Sequence, residues 1–107
     1  MNDPTYVEAS RALAQRVLLA SVLSPADRIR LAFRLATART PEAKELRVLQ
    51  DLARQQLLHY RRDPGAAAKL LEVGESRPDP KLDRAELAAW ATVASVILSL
   101  DETITKE

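Results

Sequence analysis

The sequence contains no cysteine, two glycines and one histidine, and each scarcity excludes a kind of site. Without cysteine there is no disulfide, no thiolate metal site and no Cys-x-x-Cys-His attachment for a haem. Gly65 and Gly74 lie too far apart to form a glycine-rich phosphate loop. His59 has no second imidazole or paired carboxylate in a recognisable pattern. We therefore expect no catalytic centre, no bound metal and no cofactor.

Long apolar runs and targeting signals are also missing. The longest uncharged stretch, Leu87 to Leu100, is shorter than the roughly 20 apolar residues that cross a bilayer, and it includes serine and threonine. The N-terminus lacks the basic region and apolar block of a signal peptide. We expect a soluble fragment with no membrane span.

Charge of one sign does not dominate the chain. Sixteen Lys and Arg residues face fifteen Asp and Glu residues, which gives a formal net charge of +1. The first fifty residues contain eight basic and five acidic side chains, whereas the remainder contains eight and ten. Proteins that bind nucleic acid usually present a strongly basic face, with aromatic residues when the ligand is single-stranded. The balance therefore predicts no nucleic-acid partner.

Prolines mark the predicted helix starts. Four of them follow a residue whose side chain can cap a helix, and the fixed φ angle of proline suits the first helical turn. These pairs are Asp3-Pro4, Ser24-Pro25, Thr40-Pro41 and Asp63-Pro64.

A fifth helix is predicted to begin at Asp83, where Glu86 is placed to reach back to the amide of the cap. Gly74 is suited to end the fourth helix, because glycine adopts a left-handed conformation without steric cost. Residues 75–83 then form a long internal loop. Strand patterns are scarce, so the predicted fold is all-α: a compact bundle of about five helices that forms a single domain over residues 1–107.

The distribution of apolar residues predicts where each helix lies. The first helix should pack on one side only, with Glu8, Arg11 and Gln15 on its exposed face. The second helix has a narrow polar stripe and is expected to lie centrally. The fifth helix is apolar almost all round and should be the most buried, with Trp90 providing much of its bulk.

Three stretches resemble one known family: residues 2–14, residues 32–46 and the ending 91–107, which together span nearly the whole chain. It is the planctomycete-specific C-terminal domain of unknown function DUF1553, found in planctomycete cytochrome-type exported proteins. The resemblance implies that residues 1–107 are the C-terminal fragment of a larger parent, exported to the periplasm or cell envelope. Any signal peptide or haem would then lie upstream. The family has no established activity, so the resemblance implies no reaction.

The phrase from Arg39 to Glu45 matches the arginine, proline and glutamate spacing of that family's central motif. Arg28 and Arg39 are eleven residues apart, which would place both on the same side of the second helix. We predict an ion pair from one of them to Glu42 or Glu45, because arginine can bind a carboxylate with two hydrogen bonds and so fix the turn between the second and third helices. The alternative interpretation of this cluster is a functional site.

The polar tail, residues 101–107, is a possible docking segment. Such a terminus frays by default, but Ile104 is an apolar residue among polar ones. The tail could therefore lie extended in a groove or against another domain. The candidate docking residues are Asp101, Glu102, Ile104 and Lys106.

Two functions follow from these patterns. The first is a non-catalytic structural or interaction module that binds upstream domains of its own parent or another protein. The alternative is a ligand-binding accessory domain in a redox or polysaccharide-processing system, with a pocket near the second, third and fifth helices. An interaction module should expose an apolar patch, and a ligand-binding domain should have a concave pocket with convergent polar groups. The sequence lacks the residue patterns of an enzyme.

Overall fold

A computed structural model gives the fold of residues 4–20, 24–72 and 78–105 and the side chains of residues 6–20, 24–72 and 78–100. The described residues form five helices and no strand, which confirms the predicted all-α class. The radius of gyration, 13.0 Å, is what a single domain of this length has. The helices are α1 Pro4–Leu19, α2 Pro25–Thr37, α3 Ala43–Arg62, α4 Pro64–Leu71 and α5 Arg84–Thr105.

Short polar side chains cap three of these helices as the sequence predicts. Ser24 has extended backbone, and its Oγ accepts a hydrogen bond from the Asp27 amide at 3.2 Å. Asp63 Oδ1 accepts from the Ala66 amide at 3.1 Å, and Asp83 Oδ2 accepts from the Glu86 amide at 2.9 Å. Each bond satisfies one of the amides that have no partner in the first helical turn. Asp3 and Gly74 lie outside the described residues.

The third helix begins two residues later than the prediction from Pro41. Its N-cap is Glu42, which has extended backbone and whose amide donates to Glu45 Oε1 at 2.9 Å. The Glu45 carboxylate therefore satisfies the amide of the cap residue itself, as the third helical residue does in a capping box. Thr40 and Pro41 instead belong to the turn between α2 and α3.

Helix α2 ends in a tight turn at Ala38, whose φ of 62° and ψ of 17° lie in the left-handed region. Thr37 holds this turn: its Oγ1 donates to the Phe33 carbonyl at 2.7 Å and accepts from the Arg39 amide at 3.2 Å. Because α2 ends at Thr37, Arg39 does not lie on the same helix as Arg28, contrary to the prediction from their spacing.

The centre of the bundle is α5, which contacts each of the other four helices. The expectation that α2 would be central is wrong, since α2 contacts α1, α3 and α5 but leaves Leu35 37% exposed. Trp90 is 5% exposed, as predicted. The buried side chains of α5 are Leu87, Ala88, Ala89, Trp90, Ala91, Val93, Ala94 and Ile97.

Helix α1 packs on two sides, which corrects the prediction that Arg11 and Gln15 face solvent. Arg11 is only 3% exposed, and its Nη1 donates to the Leu71 carbonyl at 2.5 Å. Gln15 Oε1 accepts from the Asp79 amide at 2.8 Å. The buried cation lies at the C-terminus of α4, where the helix dipole and the free carbonyls favour a positive charge. Helix periodicity alone assigns an arginine to solvent, because the covering element is distant in sequence.

We predict that Trp90→Ala lowers the free energy of unfolding by about 3–5 kcal/mol, because it removes a large buried side chain from the helix that every other helix contacts. Urea unfolding followed by circular dichroism measures the change. Leu19→Ala is the control: Leu19 is 55% exposed, and we expect its loss to change stability by less than about 0.5 kcal/mol. Equal effects of the two substitutions would contradict this core.

A second prediction concerns the left-handed Ala38. In Ala38→Gly the backbone strain of about 1–2 kcal/mol disappears, while the more flexible unfolded chain costs about 0.5–1 kcal/mol. The variant should therefore be as stable as the native protein or slightly more so. Ala12→Gly, at an exposed position inside α1, should lose about 1 kcal/mol instead. A comparable loss for both variants in thermal unfolding would show that Ala38 is not strained.

Candidate functional site

The turn between α2 and α3 contains a bidentate ion pair. Arg39 Nη1 and Nη2 donate to Glu45 Oε1 and Oε2, each at 2.9 Å. The guanidinium carbon also lies 4.9 Å from the centre of the buried Phe33 ring. A planar guanidinium can stack on an aromatic face and bind a carboxylate at the same time, which lysine cannot do. Arg39 therefore ties the end of α2 to the start of α3.

This arrangement holds Glu45 in its ionised form. The Arg39 hydrogen bond, followed by the one from the Glu42 amide, lowers the pKa of Glu45 from 4.5 to about 2. Partial burial opposes the shift but does not cancel it. Both carboxylate oxygens are already bonded, so Glu45 is poorly suited to accept a proton as a general base near neutral pH.

Arg28 does not join the junction. Its Nη1 donates to Glu86 Oε1 on α5 at 3.0 Å, and its guanidinium carbon lies 5.6 Å from the centre of the Trp90 ring. Glu86 thus bonds a different helix rather than reaching back to the cap of α5 as predicted. The structure brings Arg39, Glu42 and Glu45 together and places Arg28 at a separate α2–α5 contact.

The predicted tail begins as helix. Backbone of residues 101–105 continues α5 to Thr105, whereas we had expected the helix to stop before a polar tail. Neither proline nor glycine interrupts this segment, so nothing in the backbone chemistry forces a stop. The side chains of Asp101, Glu102 and Ile104, and all of Lys106, lie outside the described residues.

A pocket of about 170 Å³ lies between α1, α4 and α5. Its hydroxyl groups donate to backbone carbonyls. Tyr6 Oη donates to the Ser95 carbonyl at 2.6 Å, and Ser10 Oγ donates to the Tyr6 carbonyl at 3.0 Å. Thr92 and Ser95 likewise donate to carbonyls of α5. The pocket is therefore mainly apolar. It is smaller than the roughly 300–1,000 Å³ of typical ligand sites. The lining residues are Tyr6, Val7, Ser10, Leu70, Ala91, Thr92 and Ser95.

The outer face of α3 combines exposed aliphatic side chains with positive charge. Val48 is 62% exposed and Leu58 is 52% exposed, whereas Leu49 and Ala53 on the opposite side are buried in the core. Five of the twenty residues of α3 are Lys or Arg, and two are Asp or Glu. We define the outer face of α3 by Lys44, Arg47, Val48, Asp51, Arg54, Leu58, Arg61 and Arg62. The near-neutral charge of the whole chain gave no sign of this basic face.

Neither a metal-binding group nor a membrane-spanning helix occurs in the part of the chain that the structure describes. Among the described residues, no three His, Asp or Glu side chains are grouped so that they could bind a metal ion. None of the helices there is long and apolar enough to cross a bilayer.

In a comparison with protein families, the model of a family described as PSD1, protein of unknown function (DUF1553), matches residues 1–53. Residues 1–53, just under half of the chain, are thus similar to this family. No curated protein and no solved structure matched the chain. The DUF1553 match covers α1, α2 and about half of α3, and so includes both Arg11 and the Arg39–Glu45 pair.

The match covers only two of the three stretches that resemble DUF1553. Residues 2–14 and 32–46 lie inside the match, but the ending 91–107 lies outside it. The confirmed resemblance is therefore carried by the N-terminal stretches. The DUF1553 match assigns no activity to any of these residues.

The junction predicts a pH dependence of stability. Because the pKa of Glu45 is depressed to about 2, its stabilising effect is fully present above about pH 4.5 and is lost as pH falls towards 2. At pH 7, Glu45→Gln should be about 1–2 kcal/mol less stable than the native protein, a value reduced for the partial solvation of both partners. Near pH 2 the difference should shrink towards zero.

Urea unfolding at pH 7 and near pH 2 measures this difference. Glu72→Gln is the control, because Glu72 is an exposed carboxylate at the end of α4. Its difference from the native protein should stay below about 0.5 kcal/mol at both pH values. A Glu45→Gln difference that does not change with pH would contradict the ionic role of the pair.

Proposed function

We propose that this chain is a non-catalytic helical module that packs against other domains of a larger protein or against a separate protein partner. By the family resemblance, that larger protein is an exported planctomycete protein of the cytochrome-associated type, with this module near its C-terminal end. The role is architectural: the module presents a fixed helical surface to its neighbour.

The observation that carries this proposal is the exposure of Val48 and Leu58 on a helix whose other side is anchored in the core. Leu49 and Ala53 fix the orientation of α3, so its outer face is held rigidly. Ten residues of helix separate the two aliphatic side chains by about 15 Å along the axis. Val48 and Leu58 would give a partner two apolar contacts, with charged side chains such as those of Asp51 and Arg54 between and around them.

The alternative, a ligand-binding accessory domain, has weaker support. The pocket between α1, α4 and α5 is small, and its hydroxyl groups already bond backbone carbonyls. A specific small-molecule site needs polar groups that converge on the ligand.

The experiment is isothermal titration of this domain with the separately expressed remainder of its natural polypeptide. The double variant Val48→Ser, Leu58→Ser should bind about 10-fold to 100-fold more weakly, since each aliphatic side chain contributes on the order of 1 kcal/mol when buried. Leu19→Ser, on α1 and similarly exposed, should bind within about 2-fold of the native domain. Native affinity of the double variant would refute α3 as the contact, and no binding by the native domain would refute docking within the parent.

A further inference from the structure

We infer that the outer face of α3 binds an acidic amphipathic helix in the protein partner. This inference rests on the proposed function and adds the chemistry of the partner. It depends on the charge around Val48 and Leu58, which the near-neutral composition of the whole chain conceals.

Three arginines form a row along one edge of this face. Arg47, Arg54 and Arg61 are spaced by seven residues, so they lie on one side of α3 at intervals of about 10 Å. Arg54 and Arg61 are 69% and 56% exposed at their side chains. Lys44 and Arg62 add further positive charge near the two ends of the helix.

Neighbouring carboxylates balance this charge only in part. Asp51 pairs with Arg54, and Asp83 Oδ2 lies 3.9 Å from Arg61 Nη2, in exposed contacts that contribute little. Glu45, the other acidic residue of α3, is held by Arg39. The outer face of α3 therefore retains a net positive charge.

The combination of a basic row and aliphatic anchors selects the partner. A helix lying along α3 at the usual 8–10 Å could pack its own apolar residues against Val48 and Leu58. Glutamates flanking that apolar stripe would then face the arginine row, as they do at the edge positions of coiled coils. A second copy of this chain would place one basic face against another, so repulsion between like charges disfavours it. The aliphatic anchors would contribute nothing to contact with a phosphate backbone.

The test uses two designed 21-residue helical peptides with leucine at the core positions. One carries glutamate at the flanking positions, and the other carries lysine there. We expect the glutamate peptide to bind at least 10-fold more tightly in fluorescence anisotropy, with amide shift changes in NMR spectra concentrated on α3. Raising the salt concentration should weaken this binding, since exposed charges are screened.

Variants of the full chain separate the two components of the face. Arg47→Glu with Arg54→Glu should reverse the preference in favour of the lysine peptide. Arg16→Glu, an exposed charge change on α1, is the matched control and should retain the preference for glutamate. Val48→Ser with Leu58→Ser should weaken binding of the glutamate peptide by about 10-fold or more. Unfolding curves of each variant establish that it remains folded.

Three outcomes would overturn the inference: equal binding of the two peptides, shift changes centred on another helix, or equally tight binding of single-stranded DNA to the same face. The last would make this face a general polyanion site. If Val48→Ser with Leu58→Ser abolishes binding to the rest of the polypeptide but the glutamate peptide does not bind, the proposed function stands and the acidic helix is wrong.

Discussion

The burial of α5 is the constraint on which the rest of the structure depends. A helix that is apolar almost all round is stable in water only when other elements cover it on every side. The four remaining helices supply that cover, and each contacts α5. Trp90 shows the consequence: a ring that is 5% exposed also receives the guanidinium of Arg28 from α2. The architecture is thus a central helix with its surrounding layer.

Arginine has three different physical roles in this small domain. Arg11 is buried at the C-terminus of α4, where carbonyl groups and the helix dipole offset the cost of its burial. Arg39 stacks on the Phe33 ring and binds the Glu45 carboxylate with both terminal nitrogens, which fixes the turn between α2 and α3. Arg47 and Arg54 remain on the outer face of α3. Position in the fold, rather than residue type, decides whether such a cation stabilises the protein or is available to a partner.

These roles bear on function through the N-terminal half of the chain, which the DUF1553 model matches. That half contains the Arg39–Glu45 junction, which sets the direction of α3 relative to α2. It also contains Val48, one of the two exposed aliphatic residues on α3. The junction therefore orients the surface for which we propose a binding role. Glu45, the acidic member of the ion pair, and the face proposed to bind a partner thus lie on the same helix.

Local chemistry determined the helical class and most helix boundaries, because caps such as Ser24 and Asp63 and the prolines that follow them act within one turn. The apolar surface of α5 likewise indicated burial, since it needs no knowledge of the partners. The Arg39–Glu45 pair was within reach of sequence reasoning because six residues separate its members. Only the tertiary structure decided the burial of Arg11 and the ion pair between Arg28 and Glu86. Their partners are 60 and 58 residues away, and periodicity carries no information about which distant carbonyl or carboxylate packing will bring close.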